Sequence, residues 1–184
     1  MCGLLVLSMR QKTMATVNKI LVQHYNSPCG ELLLGSVGDE LCLCNWTGGR
    51  HHGRVDKRLQ SLLQADYEMA PSVVTIEAAR QLDEYFARRR TQFDVPLRFA
   101  GTPFQLRVWH ALLEIPYGQT VSYGELAWQV GVPSAVRAVA NANGANAISI
   151  FAPCHRVVGS TGSLTGYGGG LAAKQFLIEL EKWR

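Results

Sequence analysis

The sequence predicts an α+β fold in two parts: an N-terminal antiparallel β-meander with helices, and a C-terminal helical part carrying a helix-turn-helix. Three observations carry this. Short runs rich in Val, Leu and aromatic residues alternate with turn residues between Asn18 and Trp46. Helix caps and a helical apolar period dominate after Thr102. The change of style falls at an extended, Pro-containing stretch that ends near Ala100. Hydrophobic residues make up 47% of the 184 positions and charged residues 17%, which supplies a sizeable core and excludes wholesale disorder.

The elements follow in order. Residues 1–16 show no period and are expected to form an N-terminal tail, with an N-terminal domain over 17–100 and a C-terminal domain over 101–184. Ile20 to Tyr25, Leu32 to Val37 and Leu41 to Trp46 read as strands, separated by turns at Asn26-Ser27-Pro28 and Gly38-Asp39. Val55 to Leu63 suits a short helix. Ser72 to Arg90 reads as a longer one, with Ile76, Ala79, Leu82, Tyr85 and Phe86 as its apolar stripe and Arg88-Arg89-Arg90 complementing the dipole at its end. Thr102-Pro103 opens a helix through Leu113 that turns Val108 and Leu112 inward. Ser122 and Glu125 form the reciprocal capping pair of the next, to Val130. Gly131-Val132-Pro133 turns the chain, and Ser134 is expected to cap a helix through about Ala142, which gives helix-turn-helix spacing. Ile148 to Phe151 reads as a short buried strand, six glycines fall between Gly159 and Gly170, and Leu171 to Trp183 closes the chain as a helix.

No apolar run approaches the ~18 residues of a membrane span. Cys2 to Met9 lacks the basic lead and cleavage site of a signal peptide. Five cysteines without regular spacing argue against a disulfide framework, so the expectation is a soluble, cytoplasmic protein. Net charge is only +4, but no Asp or Glu lies between Glu125 and Glu179, while Arg137, Arg156 and Lys174 do. An anion-facing surface and a buried, Gly- and Ala-rich core both fit that stretch. Cys42 and Cys44 share a strand face near His51 and His52, a spacing that suits core packing better than a zinc site, so no metal is predicted.

Cys154 stands apart. It lies in Phe151-Ala152-Pro153-Cys154-His155-Arg156-Val157-Val158, with His155 as an adjacent base and Arg156 as a nearby cation, the partners a nucleophilic thiolate needs. On Pro153-Cys154-His155-Arg156-Val157 the sequence resembles the methylated-DNA–protein-cysteine methyltransferases, or O6-alkylguanine-DNA alkyltransferases. The likeness runs back through Ser122-Tyr123 and Tyr117-Gly118 to about Thr102, and forward to Glu181. It continues more weakly into the N-terminal meander at Ser27-Pro28-Cys29-Gly30.

The resemblance implies direct-reversal DNA repair, without cofactor, by a monomer acting once. The alkyl group of O6-alkylguanine, or of O4-alkylthymine, in double-stranded DNA passes irreversibly to Cys154. The family's proton relay falls on His155 and Glu181, with a water between His155 and Cys154. Tyr123 matches the tyrosine that helps rotate the nucleotide out, and Asn146 the asparagine of the active-site hinge. Arg137 matches the arginine that fills the vacated stack, with Ser134 and Ala138 beside it against DNA. For the base pocket it implies backbone groups near Cys154 and Val157 reading the guanine amino edge, a wall at Tyr167, the Gly168 N–H toward the transferred oxygen, and Ser149, Gly169 and Lys174 around them. In some relatives Gly168 is Ser. Ala152, Ser149 and Gly169 are smaller than the residues of some relatives, which suggests an open pocket accepting ethyl or benzyl groups. Two other readings compete: a non-catalytic sensor of alkylated DNA, and a thiol hydrolase built on Cys154 and His155. The first lacks the nucleophile in such proteins, and the second leaves Arg137 and the helix-turn-helix unexplained.

Overall fold

In the computed structural model, residues 18–48 and 52–182 are described. The expected tail over 1–16 and His51 lie outside them. Strands β1 (Asn18–Ser27), β2 (Gly30–Val37) and β3 (Glu40–Trp46) form the antiparallel meander. Ser27 pairs with Gly30, so the first turn is only Pro28-Cys29, one position later than the sequence suggested. Helix α1 (His52–Leu63) leads into β4 (Ala65–Met69), which lies parallel to β1 and gives the sheet order β3-β2-β1-β4. The sequence reading missed β4. Its five residues show neither an apolar run nor clean alternation, and only Ala65 is buried.

Helix α2 (Val73–Phe86) is capped by the reciprocal Ser72–Thr75 pair. It stops before the three arginines instead of including them. Arg88 takes φ +59°, and the Arg88 and Arg89 N–H groups reach back to the Tyr85 and Glu84 carbonyls, the paired bonds of a left-handed helix stop. No glycine or proline announced that stop. Arg90 pairs instead with Glu84 at 2.7 Å. The apolar stripe also shifts: Thr75, Ala78, Gln81, Leu82 and Tyr85 face the sheet, while Ile76 is 57% exposed.

The C-terminal helices follow the sequence closely. Helix α3 (Pro103–Leu113) carries the Thr102–Gln105 capping box, with Val108 and Leu112 buried. Strand β5 (Val121–Ser122) leads into α4 (Tyr123–Gln129), capped by Ser122 and Glu125. Gly131, at φ +78°, ends it with the same paired bonds seen at Arg88. Helix α5 (Val136–Gly144) completes the helix-turn-helix, but its N-cap is Ala135 and no side chain caps it, so Ser134 does not act as predicted. The end of α5 is held from two sides. Trp109 Nε1 donates to the Ala142 carbonyl at 2.8 Å and Arg58 Nη2 to the Ala145 carbonyl at 2.6 Å, with the guanidinium over the Trp109 ring. A cation there complements the helix dipole.

Ile148 to Phe151 is not a strand. Cys44 N–H and C=O bond the Ala147 carbonyl and the Ser149 N–H at 2.9 and 2.7 Å, and the chain then turns at Ile150, whose φ is +72°. The outer edge of β3 thus carries both this segment and, through Leu41, the Pro96–Arg98 linker. One apolar core joins the sheet to Ile148, Phe151, Leu177 and Leu180, and a second gathers Val108, Trp109, Leu126, Val139, Cys154 and Val157. Helix α6 (Gly170–Lys182) packs against the turn that bears Cys154. No helix among the described residues is long and apolar enough to cross a membrane.

Candidate active site

Pro153 ends the turn after Ile150, and Cys154–Arg156 form one 3₁₀ turn feeding strand β6 (Val157–Val158). Strand β6 pairs in parallel with β5, Val121 against Val157 and Ser122 against Val158, which brings Tyr123 at the head of α4 to the Cys154 side. Asn146 fixes the segment before the nucleophile. Its Nδ2 donates to the Ala152 and Ile148 carbonyls at 2.9 and 3.3 Å, and its Oδ1 accepts from the Ile148 N–H at 3.0 Å.

Behind Cys154 lies a buried ionic knot. Glu181 Oε1 accepts from His155 Nε2 at 2.8 Å, Tyr85 Oη at 2.7 Å and Arg156 Nη2 at 3.0 Å. Its Oε2 accepts from Arg156 Nε at 2.8 Å and the Gly118 N–H at 3.2 Å. Burial pushes the Glu181 carboxyl up, but hydrogen bonds from His155 and Arg156 together with the Arg156 charge outweigh it and hold it well below the usual carboxylate range. Burial pulls His155 down, so its ring is neutral at pH 7. With Nε2 committed to Glu181, Nδ1 is left buried without a partner among the described residues.

Arg156 does not serve Cys154 as the sequence suggested. Its guanidinium is spent on Glu181 and on the Ile115 carbonyl at 2.6 Å. The cation whose field reaches the thiol is Lys174, fully buried, with Nζ donating to the Val157 and Thr165 carbonyls at 2.6 and 2.8 Å. Burial pushes the Cys154 thiol up, while Asn146, Lys174 and Ser149 pull it back. The acid-free stretch therefore divides: Arg156 and Lys174 are core groups, and Arg137 is exposed. Cys42 and Cys44 are buried in the N-terminal core, and Cys29, Cys42, Cys44 and Cys154 are all free thiols.

Cys154, Asn146, Ser149, Tyr167 and Gly168 line one cavity of about 20 Å³, which is room for about one water. It adjoins an open groove of about 960 Å³ bordered by Tyr123, Arg137, Gly169 and Gly170. Ser134 and Ala138 are exposed but do not border that groove. Neither Val157 nor Lys174 borders the cavity; both are fully buried. Gly169 does not open the pocket. A Cβ there would lie 2.5 Å from Trp46 Cδ2, so the indole fills the space that the glycine leaves. Trp46, Asn45, Asn143, Tyr85 and Gly118 were given no part in the site from the sequence. Their roles depend on contacts between distant segments, and only Gly118, beside Tyr117 in a motif already noted, carried a local signal.

A buried cysteine beside a His–Glu pair, in a cavity adjoining a groove flanked by a helix-turn-helix, is the arrangement of a DNA-binding thiol transferase. The comparisons agree. Residues 103–183 match the family model described as the 6-O-methylguanine DNA methyltransferase DNA-binding domain. The chain is 52% identical over 139 residues to the methylated-DNA–protein-cysteine methyltransferase of Mycobacterium bovis, covering 72% of this chain and 84% of that one. It is 44% identical over 157 residues to the Methanosarcina acetivorans protein of the same name, covering 85% and 95%. The crystal structure of Mycobacterium tuberculosis O6-methylguanine methyltransferase matches with a TM-score of 0.75 and 44% identity over 89% of this chain and 93% of that one. A structure of the same organism's protein in complex with DNA matches at a TM-score of 0.74. The chain belongs to the methylated-DNA–protein-cysteine methyltransferase family.

Proposed function

We propose that the protein repairs double-stranded DNA by direct reversal, moving the alkyl group of O6-alkylguanine, and of O4-alkylthymine, onto Cys154 in a single turnover. The observation that carries this is the Cys154 cavity, backed by the His155–Glu181 pair and adjoining the groove edged by Arg137. An alkyl group on a base oxygen is a poor substrate for displacement, so the thiol must lose its proton and the departing base must be stabilised. His155, held neutral by burial, takes the proton through a water at its free Nδ1. Glu181 fixes the ring and balances the charge it gains, the logic of a Cys–His–acid constellation. The sulfur then attacks the alkyl carbon, the S–C bond forms as the C–O bond breaks, and the base leaves with its electron pair. Tyr123 donates to it.

A cavity of about 20 Å³ does not hold a purine. The segment Gly166–Gly168 therefore withdraws as the base enters. Extrusion costs a few kcal/mol of stacking and pairing, and the planar, exposed Arg137 guanidinium fills the gap in the duplex. Affinity rests on phosphate contacts and falls with salt. The protein works as a monomer, in the cytoplasm and without a cofactor.

Intact-protein mass after incubation with a duplex bearing one O6-methylguanine tests this, alongside Cys154→Ala. A gain of one methyl group on Cys154, absent in the variant, is expected. Lesion-selective binding without mass gain makes the protein a sensor, and neither binding nor gain removes the DNA reading altogether.

A further inference from the structure

The Glu181 carboxylate has more donors than it can serve. Its two oxygens offer about four lone-pair sites, and five N–H and O–H groups converge on them. Arg156 takes one site on each oxygen, through Nη2 to Oε1 at 3.0 Å and Nε to Oε2 at 2.8 Å. The Gly118 N–H takes the second site of Oε2 at 3.2 Å. One site on Oε1 is left, and two donors meet there: His155 Nε2 at 2.8 Å and Tyr85 Oη at 2.7 Å.

Packing alone does not call for the Tyr85 hydroxyl. The residue comes from α2, 96 positions before Glu181, and is fully buried, with its ring edge-on to Phe86 and Tyr117 and tilted on Phe93. A phenylalanine would fill the same space, and Arg156 already neutralises the carboxylate and holds it at both oxygens. Burial and the Glu181 charge push the Tyr85 phenol far above its ordinary range, so it remains a donor at every working pH. The charged and titratable groups facing His155 are Glu181 and Lys174 of α6, Arg156 and Cys154 of its own turn, and Tyr167 of the glycine-rich loop, with the Arg156 guanidinium over the Tyr117 ring. Among these described groups Glu181 is the one that hydrogen-bonds the imidazole.

We propose that Tyr85 is a positioning residue of the proton relay: by sharing Oε1 with His155, its hydroxyl loosens the His155–Glu181 bond and sets how readily the imidazole takes the Cys154 proton. The proposal rests on the alkyltransferase reading above. An imidazole facing a carboxylate free of this competitor would take a proton from solvent more easily and be spent before the base arrives. The shared site keeps His155 neutral at rest, yet leaves Glu181 in place to balance the charge once the thiol proton is transferred. Through Glu181, α2 takes part in the reaction.

The test compares wild type with Tyr85→Phe and with a fluorinated tyrosine at position 85, whose more acidic hydroxyl donates more strongly. Two readouts are taken: the proton resonance of His155 Nε2–H in the DNA-free protein, and the acid midpoint of the transfer rate on a duplex carrying O6-methylguanine. In Tyr85→Phe the resonance is expected to move downfield as the bond to Glu181 strengthens, and the midpoint to rise by about half to one pH unit, the net effect of one hydrogen bond. Fluorination is expected to move both the opposite way. A purely structural role would slow transfer by the same factor at every pH, so a midpoint or a resonance that stays in place overturns the proposal. If Tyr85→Phe fails to fold, the fluorinated protein, which keeps the shape, decides by the same criteria. Wild-type protein that accepts no methyl group refutes the alkyltransferase reading instead, and the resonance still shows whether Tyr85 restrains the bond.

Discussion

Replacing Glu181 by Gln changes one oxygen to an amide nitrogen, and the geometry shows why no orientation of that amide is acceptable. With nitrogen at Oε1, its hydrogens meet Tyr85 Oη–H, the His155 Nε2–H and Arg156 Nη2. With nitrogen at Oε2, they meet the Arg156 Nε–H and the Gly118 N–H. In both cases donors face donors, and the nearly buried Arg156 loses its counter-charge. Breaking a buried pair from one side costs about 3–5 kcal/mol. That is a large part of a typical domain's stability and lowers Tm by roughly 10 °C. Tyr85→Phe removes one donor and leaves the charge pair, so it costs about 1–3 kcal/mol. Urea denaturation followed by circular dichroism measures both. Because Tyr85 lies on α2 and Gly118 precedes β5, the loss in Glu181→Gln registers on N- and C-terminal elements together. A Glu181→Gln variant within about 1 kcal/mol of wild type would refute the ionic-knot argument, since no single lost neutral bond is that different from the others.

Burial depresses the His155 pKa. The unfolded chain therefore binds a proton that the folded one refuses, and stability is full above about pH 6.5 and falls as pH drops below it. Glu181, also depressed, adds a further loss below the ordinary carboxylate range. Urea midpoints between pH 8 and 4 should fall in that order, and the acid limb of the transfer rate should have its midpoint below 6.5 because the neutral base survives there. At the pocket, Gly168→Ser has room, with the nearest atom 3.4 Å from the new Cβ, and should leave stability within about 0.5 kcal/mol. Gly169→Ala strikes Trp46 at 2.5 Å and should cost about 1–3 kcal/mol by thermal melting. Arg137→Ala should slow transfer from duplex DNA by about tenfold or more while leaving reaction with the free base O6-methylguanine unchanged, as only the duplex has a gap to fill. Arg88→Gly relieves the left-handed conformation at the end of α2 and should raise stability by about 0.5–1 kcal/mol.

What the sequence revealed, and what it withheld, follows from the range of the forces involved. Ser122 with Glu125 and Thr102 with Gln105 cap helices through bonds spanning three residues, so the C-terminal helix starts could be read directly. Cys154, His155 and Glu181 were legible because the family pattern stores their long-range pairing in short motifs. The end of α2 was not legible, because the left-handed position is held by Arg88 where Gly131 holds the equivalent one after α4. The mistaken strand at Ile148–Phe151 has a similar cause. Its apolar residues are buried as a strand's would be, yet only Ala147–Ser149 bonds β3, and Ile150 turns the chain into Pro153. Arg156 was assigned to the thiol by adjacency, and the fold spends it on Glu181, 25 residues away.

The size of the alkyl pocket shows the same limit at the level of domains. Ser149, Ala152 and Gly169 read as missing bulk, hence as room near Cys154. The N-terminal sheet takes that room back. Trp46 ends β3, lies 3% exposed against Gly169, and meets the Tyr167 ring edge-on at 5.9 Å. Asn45 and Val55 complete the cavity wall from the same side. Phe151, next to Ala152, packs on Phe93 at 4.3 Å between ring centres. Since β3 also carries Ala147–Ser149 on its edge, the wall and the nucleophile's own segment share one support. A small residue in the C-terminal motifs therefore enlarges the pocket only when the N-terminal sheet leaves the vacated volume empty, and at Gly169 it does not. The glycines at 168 and 169 differ: a Cβ at the first would lie in ordinary contact with Trp46, and the second admits the indole from the N-terminal sheet. Tolerance for bulky alkyl groups is thus governed less by the active-site motif than by how far Tyr167 and its neighbours can withdraw from Trp46.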